Sequence, residues 1–265
     1  MNLLVTNDDG IEAAGIRHLA EALSAVAKVY VVAPHAQRSA CGHGITIGRP
    51  VIVERVSFPG ADMAFSLEGT PADCVKMGVE VLRAEGVSLD MVFSGINHGG
   101  NLGTDVIYSG TAAAALEGAI SGLPSVALSI AAREPADFSV AREVAVQATR
   151  ADIASIDPTL VLNINIPDLP KERIHGAKVV RLGQREYDKW YEKTTLPDGR
   201  MAYVYSGYPI RYDGLTCESC DVGAHQEGYI SVTPLHFDLT GYSLLEKVRA
   251  DGIEERFHPE REGQK

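Results

Sequence analysis

A strand, a helix and a second strand fit into the first 34 residues, and that alternation constrains the fold more than any other feature of the chain. Residues 3–7 (Leu-Leu-Val-Thr-Asn) read as a short strand. Residues 12–27 carry Ile16, Leu19, Ala20, Leu23 and Val26 at helical spacing, and Lys28 to Ala33 is a β-rich run ended by Pro34. Strands joined by a crossover helix pair in parallel, which calls for a sheet covered on both faces. Ile45–Val56 reads as extended. Thr70-Pro71-Ala72-Asp73 then opens a helix to about Arg83, with Thr70 as N-cap, Pro71 at the first helical position and Asp73 as the capping-box acid. The alternation continues through a strand at Leu89–Gly95 and a helix at Thr111–Ser121, stopped by Gly122 and Pro124. A strand at Ser125–Ile130, a helix over 136–155 and a strand at Leu160–Ile166 follow. The expected fold class is α/β, a Rossmann-like, doubly wound and mostly parallel sheet.

The pattern changes after about residue 175. Tyr187–Tyr208 alternates aromatic and polar residues around Leu196-Pro197-Asp198-Gly199, a hairpin signal, and most tyrosines and the single Trp190 lie beyond residue 186. Gly228–Leu235 reads as a later strand, Gly241–Ala250 as a terminal helix, and the last dozen residues as a frayed, charged end. The expected organisation is a catalytic core over residues 1–180, followed by a hairpin, closing strand and helix over 181–265. A long aromatic hairpin has little core of its own to cover it, which makes it a candidate subunit contact.

Composition narrows the function. The net charge of −11 argues against a nucleic-acid polymer as partner. No apolar run approaches the ~20 residues of a membrane span. The first residues meet Asp8 and Asp9 with no basic region, unlike a signal peptide, and four cysteines do not make a disulfide scaffold. A cytoplasmic location is expected.

Ligands of open α/β sheets sit outside the carboxyl ends of the strands. The first strand ends in Asn7-Asp8-Asp9-Gly10, the second runs into a loop with Ser39, and the Leu89–Gly95 strand runs into Ile96-Asn97. Two carboxylates, a hydroxyl and an amide make an all-oxygen set suited to Mg²⁺ or Mn²⁺ rather than zinc. Taken singly, Asp8-Asp9-Gly10 reads first as a turn with a helix cap, and Ser39 and Asn97 as loop residues; it is their combination at the strand ends that points to a site. Four glycines lie between Gly95 and Gly103, and Ser109-Gly110-Thr111 then opens an alanine-rich helix. A helix N-terminus presents unpaired N–H groups and the positive end of its dipole, a place for a phosphate. The alternative is a plain loop capped by Ser109. The loop is neither a Walker A nor a GxGxxG pattern. His43 and His98 are further proton-transfer candidates, and Cys217-Glu218-Ser219-Cys220 is a CxxC without a second pair at ligand spacing.

These residues together resemble the SurE family, the survival-protein nucleotidases. The resemblance lies in Asn7-Asp8-Asp9-Gly10, Ala33-Pro34 with Arg38-Ser39 and Gly42, and Gly69-Thr70-Pro71-Ala72-Asp73-Cys74-Val75. It continues through Ser94-Gly95-Ile96-Asn97, Gly99, Asn101, Gly103, Tyr108-Ser109-Gly110-Thr111 and Glu117-Gly118 to Gly228–Leu235 and Asp238-Leu239-Thr240. One departure is that Ala40-Cys41 separate Ser39 from Gly42, where many members place glycine directly after the serine. The resemblance implies a metal-dependent phosphatase acting on nucleoside 5′-monophosphates, with 3′-nucleotides and short polyphosphate as further substrates. It implies one divalent ion per subunit (Mg²⁺, Mn²⁺ or Co²⁺) on Asp8, Asp9, Ser39 and Asn97, and a homodimer or homotetramer. Asp8 and Asp9 are the expected catalytic residues, and Asn101, Ser109, Gly110 and Thr111 the expected phosphate site. Two rival readings are a receiver-type signalling module and a nucleotide-binding protein without turnover. The first needs a phospho-acceptor aspartate where this chain has Asn97.

Overall fold

The computed structural model describes residues 1–257 apart from 133, 136, 189, 190, 208–216 and 218. Strands β1 (Asn2–Thr6), β2 (Lys28–Pro34), β3 (Val53–Val56), β4 (Met63–Leu67), β5 (Met91–His98), β6 (Ser125–Ile130), β7 (Val161–Ile166) and β8 (Ala177–Val179) belong to one sheet. β9 (Tyr191–Thr195) and β10 (Met201–Tyr205) form a separate antiparallel hairpin, and β11 (Ile230–Leu235) returns to the sheet. The sheet order is β3-β4-β2-β1-β5-β6-β7-β11-β8. β1, β2, β4, β5, β6 and β7 run parallel to their neighbours, while β3 is antiparallel to β4, and β11 antiparallel to β7. The doubly wound α/β expectation is therefore borne out. The winding reverses between β1, which leads outward through β2 and β4, and β5, which leads outward through β6 and β7.

Strand alternation divides the core between two faces. Leu3 and Val5 pack with Ile16, Leu19 and Leu23 of α1 (Ala14–Ser24). Leu4, between them, points to the opposite face, among Val75 and Leu82 of α2 (Pro71–Ala84). The buried alanines of α3 (Gly110–Ile120) extend that second face over β6 and β7, and α4 (Ser139–Ala148) packs beside α1. Short helices α5 (Ile153–Ile156) and α6 (Asp221–Gln226) connect strands, and α7 (Tyr242–Ala250) and α8 (Ile253–Arg256) follow the sheet.

Several elements depart from the sequence expectation. The helix over 136–155 starts late, at Ser139, whose N–H and hydroxyl donate to Asp137, and it is interrupted after Ala148 to give separate α4 and α5. Only Val53–Val56 of the extended 45–56 segment pairs as a strand. β4 and β8 were not anticipated: one is five residues long, the other three. Trp190 and Tyr208 of the hairpin, and most of the charged C-terminal dozen, lie outside the described residues.

The α2 capping box forms as expected. Asp73 accepts from the Thr70 N–H at 2.9 Å, and the Thr70 hydroxyl accepts from the Asp73 N–H at 3.1 Å. Asp73 also accepts from the Thr46 N–H at 2.9 Å and the Thr46 hydroxyl at 2.6 Å, tying the 40s loop to α2. Burial pushes the Asp73 carboxyl up, but the Thr46 and Thr70 donors outweigh it and hold the group below 3.8. Asp73→Ala is expected to cost about 2 kcal/mol at pH 7. A carboxyl lowered on folding stabilises above its unfolded value, near ~3.9, and loses that as pH falls through the folded value. Melting temperatures of the two proteins should therefore converge in acid; a gap that widens below pH ~4 would contradict this role.

Candidate active site

The winding reverses between β1 and β5, where open α/β sheets place their ligands, and the loops leaving the carboxyl ends of these two strands carry the acidic pair and Asn97. Asn7 sets the first turn by donating from its amide to the Gly10 carbonyl at 2.9 Å. Asp8 is buried, and its Oδ1 accepts from the Thr111 hydroxyl at 2.7 Å. Burial lifts the Asp8 pKa to about 6; the Thr111 hydroxyl pulls it down, and the charge of Asp9 pushes it up. α3 approaches so closely that a Cβ on Gly110 would stand 2.7 Å from the Asp8 Cβ and 2.8 Å from its Oδ2.

Asp9 is half-buried, and its Oδ2 accepts from the His98 backbone N–H at 3.2 Å. The Asn97 amide nitrogen donates to the Gly99 carbonyl at 2.7 Å, so the amide oxygen is the atom that could serve a cation. β5 shifts register against β6 between Gly95 and Asn97, and the Gly95–Ile96 peptide is cis. Gly95 has φ +142°, and a Cβ there would meet the Leu128 carbonyl oxygen at 2.3 Å, so only glycine carries β5 into this turn.

Ser39 reaches the pair through a neighbour the sequence reading passed over. Gln37 donates from Nε2 to the Ser39 hydroxyl at 2.9 Å and lies 3.5 Å from Asp9 Oδ1. The Arg38 N–H donates to the Asp8 carbonyl at 2.7 Å, fixing the loop beside β1. Ala40 takes φ +55°, a left-handed conformation that favours glycine, at the position where many SurE-family members are glycine.

The glycine-rich loop is anchored from the other side. The Ser109 hydroxyl caps α3 by accepting from the Ala112 N–H at 3.0 Å. Asn101 donates from its amide to the Ser129 hydroxyl at 2.9 Å and from its N–H to Asn165 Oδ1 at 2.7 Å. Its carbonyl accepts from Asn163 and Asn165. The structure thus sets Gly110 and Thr111 against Asp8, holds Asp9 on the His98 backbone next to Asn97, and joins Ser39 to Asp9 through Gln37. Asn101 is spent on holding the loop.

The two histidines separate. A Cβ on Gly15 of α1 would lie 3.4 Å from His98 Nε2, which has no hydrogen-bond partner among the described residues. The His98 ring thus turns toward α1, and its contribution here is its backbone N–H. His43 lies 2.9 Å from buried Glu117 of α3, which also binds Lys76 of α2 at 2.7 Å. This triad couples the Ser39 loop to both helices of that face. Its sequence signal was the lone acid in the Gly110–Ile120 helix, which is otherwise nearly all alanine and glycine.

The donors fit a hard divalent cation. They are all oxygens, and an ion beside Asp8 would offset both its burial and its repulsion from Asp9. Among the described residues no three His, Cys, Asp or Glu side chains gather, so a nitrogen–sulfur or carboxylate-rich cage is not offered there.

The model of the family described as Survival protein SurE matches residues 3–189. The chain is 47% identical over 250 residues to the 5′-nucleotidase SurE of Heliobacterium modesticaldum, covering 94% of this chain and 90% of that one. It is 46% identical over 253 residues to the 5′-nucleotidase SurE of Moorella thermoacetica, covering 94% and 95%. The crystal structure of the SurE protein from Aquifex aeolicus matches with a TM-score of 0.80 at 38% identity, covering 95% of this chain and 100% of that one. With this match in fold and sequence, and acid-bearing loops meeting where the sheet reverses its winding, the chain belongs to the SurE family.

Proposed function

We propose that the chain is a divalent-metal-dependent phosphomonoesterase that converts nucleoside 5′-monophosphates to nucleoside and phosphate. The observation that carries this reading is the seating of Asp8 against the N-terminus of α3, with Asp9 beside it held on the β5 backbone next to Asn97, an anion-favouring helix end beside oxygen donors that favour a cation. The names of the two relatives above supply the substrate class.

Asp8, Asp9, Ser39 and Asn97 are the residues that would hold one Mg²⁺, Mn²⁺ or Co²⁺ ion per subunit. When bound, the ion neutralises charge on the phosphoryl oxygens and acidifies water. Thr111 fixes the Asp8 carboxylate in one rotamer through the 2.7 Å hydrogen bond. The His98 N–H orients Asp9, and Gln37 holds Ser39 toward it. Phosphate oxygens face the first turn of α3 at Ser109, Gly110 and Thr111, and Asn101 keeps that loop against β6 and β7. One aspartate aligns water and takes its proton in direct attack. Hydrolysis of a nucleotide chiral at phosphorus should proceed with inversion, the outcome of one displacement; retention would replace direct attack by an aspartyl-phosphate route.

The working form is a homodimer or homotetramer in the cytoplasm. Supporting assembly, Tyr203, Val204 and Tyr205 of the hairpin and Leu244 and Val248 of α7 expose apolar surface in the single chain. All four cysteines are free thiols, and among the described residues no helix is long and apolar enough to cross a membrane.

The test is phosphate release from a panel of nucleoside 5′- and 3′-monophosphates and short polyphosphate, with Mg²⁺, Mn²⁺ or Co²⁺ and with EDTA. Release from 5′-nucleotides that EDTA abolishes and added metal restores is the expected result. Tight nucleotide binding without release under any metal would establish the non-turnover alternative instead.

A further inference from the structure

The CxxC segment plays no part in the proposed phosphatase, yet it is built into the support of the glycine-rich loop. The Cys220 N–H donates to the Cys217 carbonyl at 3.0 Å, closing a turn that holds the two Cα atoms within about 7 Å. That separation overlaps the range a disulfide spans, and the two thiols are neighbours, Cys220 buried and Cys217 half-exposed. Arg181 Nη2 donates to the Cys217 sulfur at 3.0 Å, where it meets the charge that an attacking or leaving sulfur carries. A cavity of about 270 Å³, lined by Arg181, Gln184, Glu186, Cys217 and Cys220 among others, opens onto the pair. Among the described residues there is no third ligand that would make the pair a metal site.

Asp221, directly after Cys220, is fully buried and accepts from the Gly103 N–H and the Gly183 N–H, each at 2.7 Å. Gly103 belongs to the loop that leads from Asn97 to Ser109. The Cys220 sulfur lies 2.9 Å from where a Gly183 Cβ would be. Any shift of Cys220 on closing the pair is passed along the chain to Asp221, the residue that pins the loop.

We infer that Cys217 and Cys220 form a reversible dithiol–disulfide switch, oxidised by small-molecule disulfides, whose closure loosens the Gly103 loop through Asp221. The Cys217 thiolate attacks one sulfur of the small disulfide, forming a mixed disulfide and releasing one small thiol, which takes up a proton. Cys220 then gives up its proton and attacks the Cys217 sulfur, releasing the second small thiol. Two protein thiols are oxidised by two electrons, and the small disulfide is reduced to two thiols.

The test equilibrates the full chain in glutathione buffers of varied oxidised-to-reduced ratio, then alkylates and maps it by mass. The expected product is an internal Cys217–Cys220 bridge, reversed by dithiothreitol, while Cys74 stays reduced. Amide exchange at Gly103 and Gly183 should rise about tenfold in the oxidised protein and show no such redox response in Cys217→Ser. Thiols that stay alkylatable, glutathione adducts without a bridge, or a bridge that leaves Gly103 exchange unchanged would each overturn the switch. Neither readout uses a nucleotide, so this inference and the phosphatase reading stand or fall separately.

Discussion

Asp9→Asn is expected to lower kcat/KM for phosphate release from a nucleoside 5′-monophosphate by about 10³-fold, roughly 4 kcal/mol of transition-state stabilisation. Of the two carboxylates, Asp8 is spent partly on Thr111 and is buried, while Asp9 meets the loop mouth with one long backbone donor at 3.2 Å. An asparagine keeps that contact and the volume but removes one of the only two negative charges in the proposed cation set. The fold should not suffer, because Asp8 and Asp9 repel each other and the substitution relieves that repulsion. Steady-state kinetics beside a thermal melt separate the two effects. Activity within tenfold of the parent, at unchanged stability, would remove Asp9 from the chemistry.

Gly110→Ala makes the opposite kind of change, adding one methyl group and no charge. Alanine gains about 1 kcal/mol over glycine in a helix. The new Cβ, however, would stand 2.7 Å from Asp8 Cβ, a distance that real Cβ atoms essentially never show, so the Asp8 side chain or the α3 start must move. Displacing a reacting group by ~1 Å costs about 10²-fold in rate. The expected signature is kcat down by about 10²-fold with a melting temperature nearly unchanged. A fall in stability with kcat intact would mean that α3 retreats while Asp8 holds its position.

The legible part of this protein was the part governed by periodicity. Apolar spacing in residues 3–33 specifies β1, α1 and β2, and a parallel sheet places its ligands at the carboxyl ends of its strands, which is what groups Asp8, Asp9, Ser39 and Asn97 as candidates. Thr70 and Asp73 were readable because a capping box is local in sequence. Elements that depend on distant partners were not readable. β4 has no strong alternation and exists because β2 and β3 flank it. Gln37 looked like a loop residue until Ser39 and Asp9 stood on either side of it. Glu117, His43 and Lys76 lie on three separate segments, and nothing short of the packed fold joins them.

The sheet order carries a consequence for how the chain is made. β11 inserts between β7 and β8, pairing antiparallel with the first and parallel with the second, although it follows β7 by more than sixty residues. During synthesis from the N-terminus, the outer edge of β7 therefore has no native partner until residues 230–235 have emerged. Through that interval the nascent protein carries an open row of backbone donors and acceptors, the kind of edge that invites pairing with a foreign strand. β11, made late and far in sequence from β7, is thus what pairs the edge that β7 leaves open.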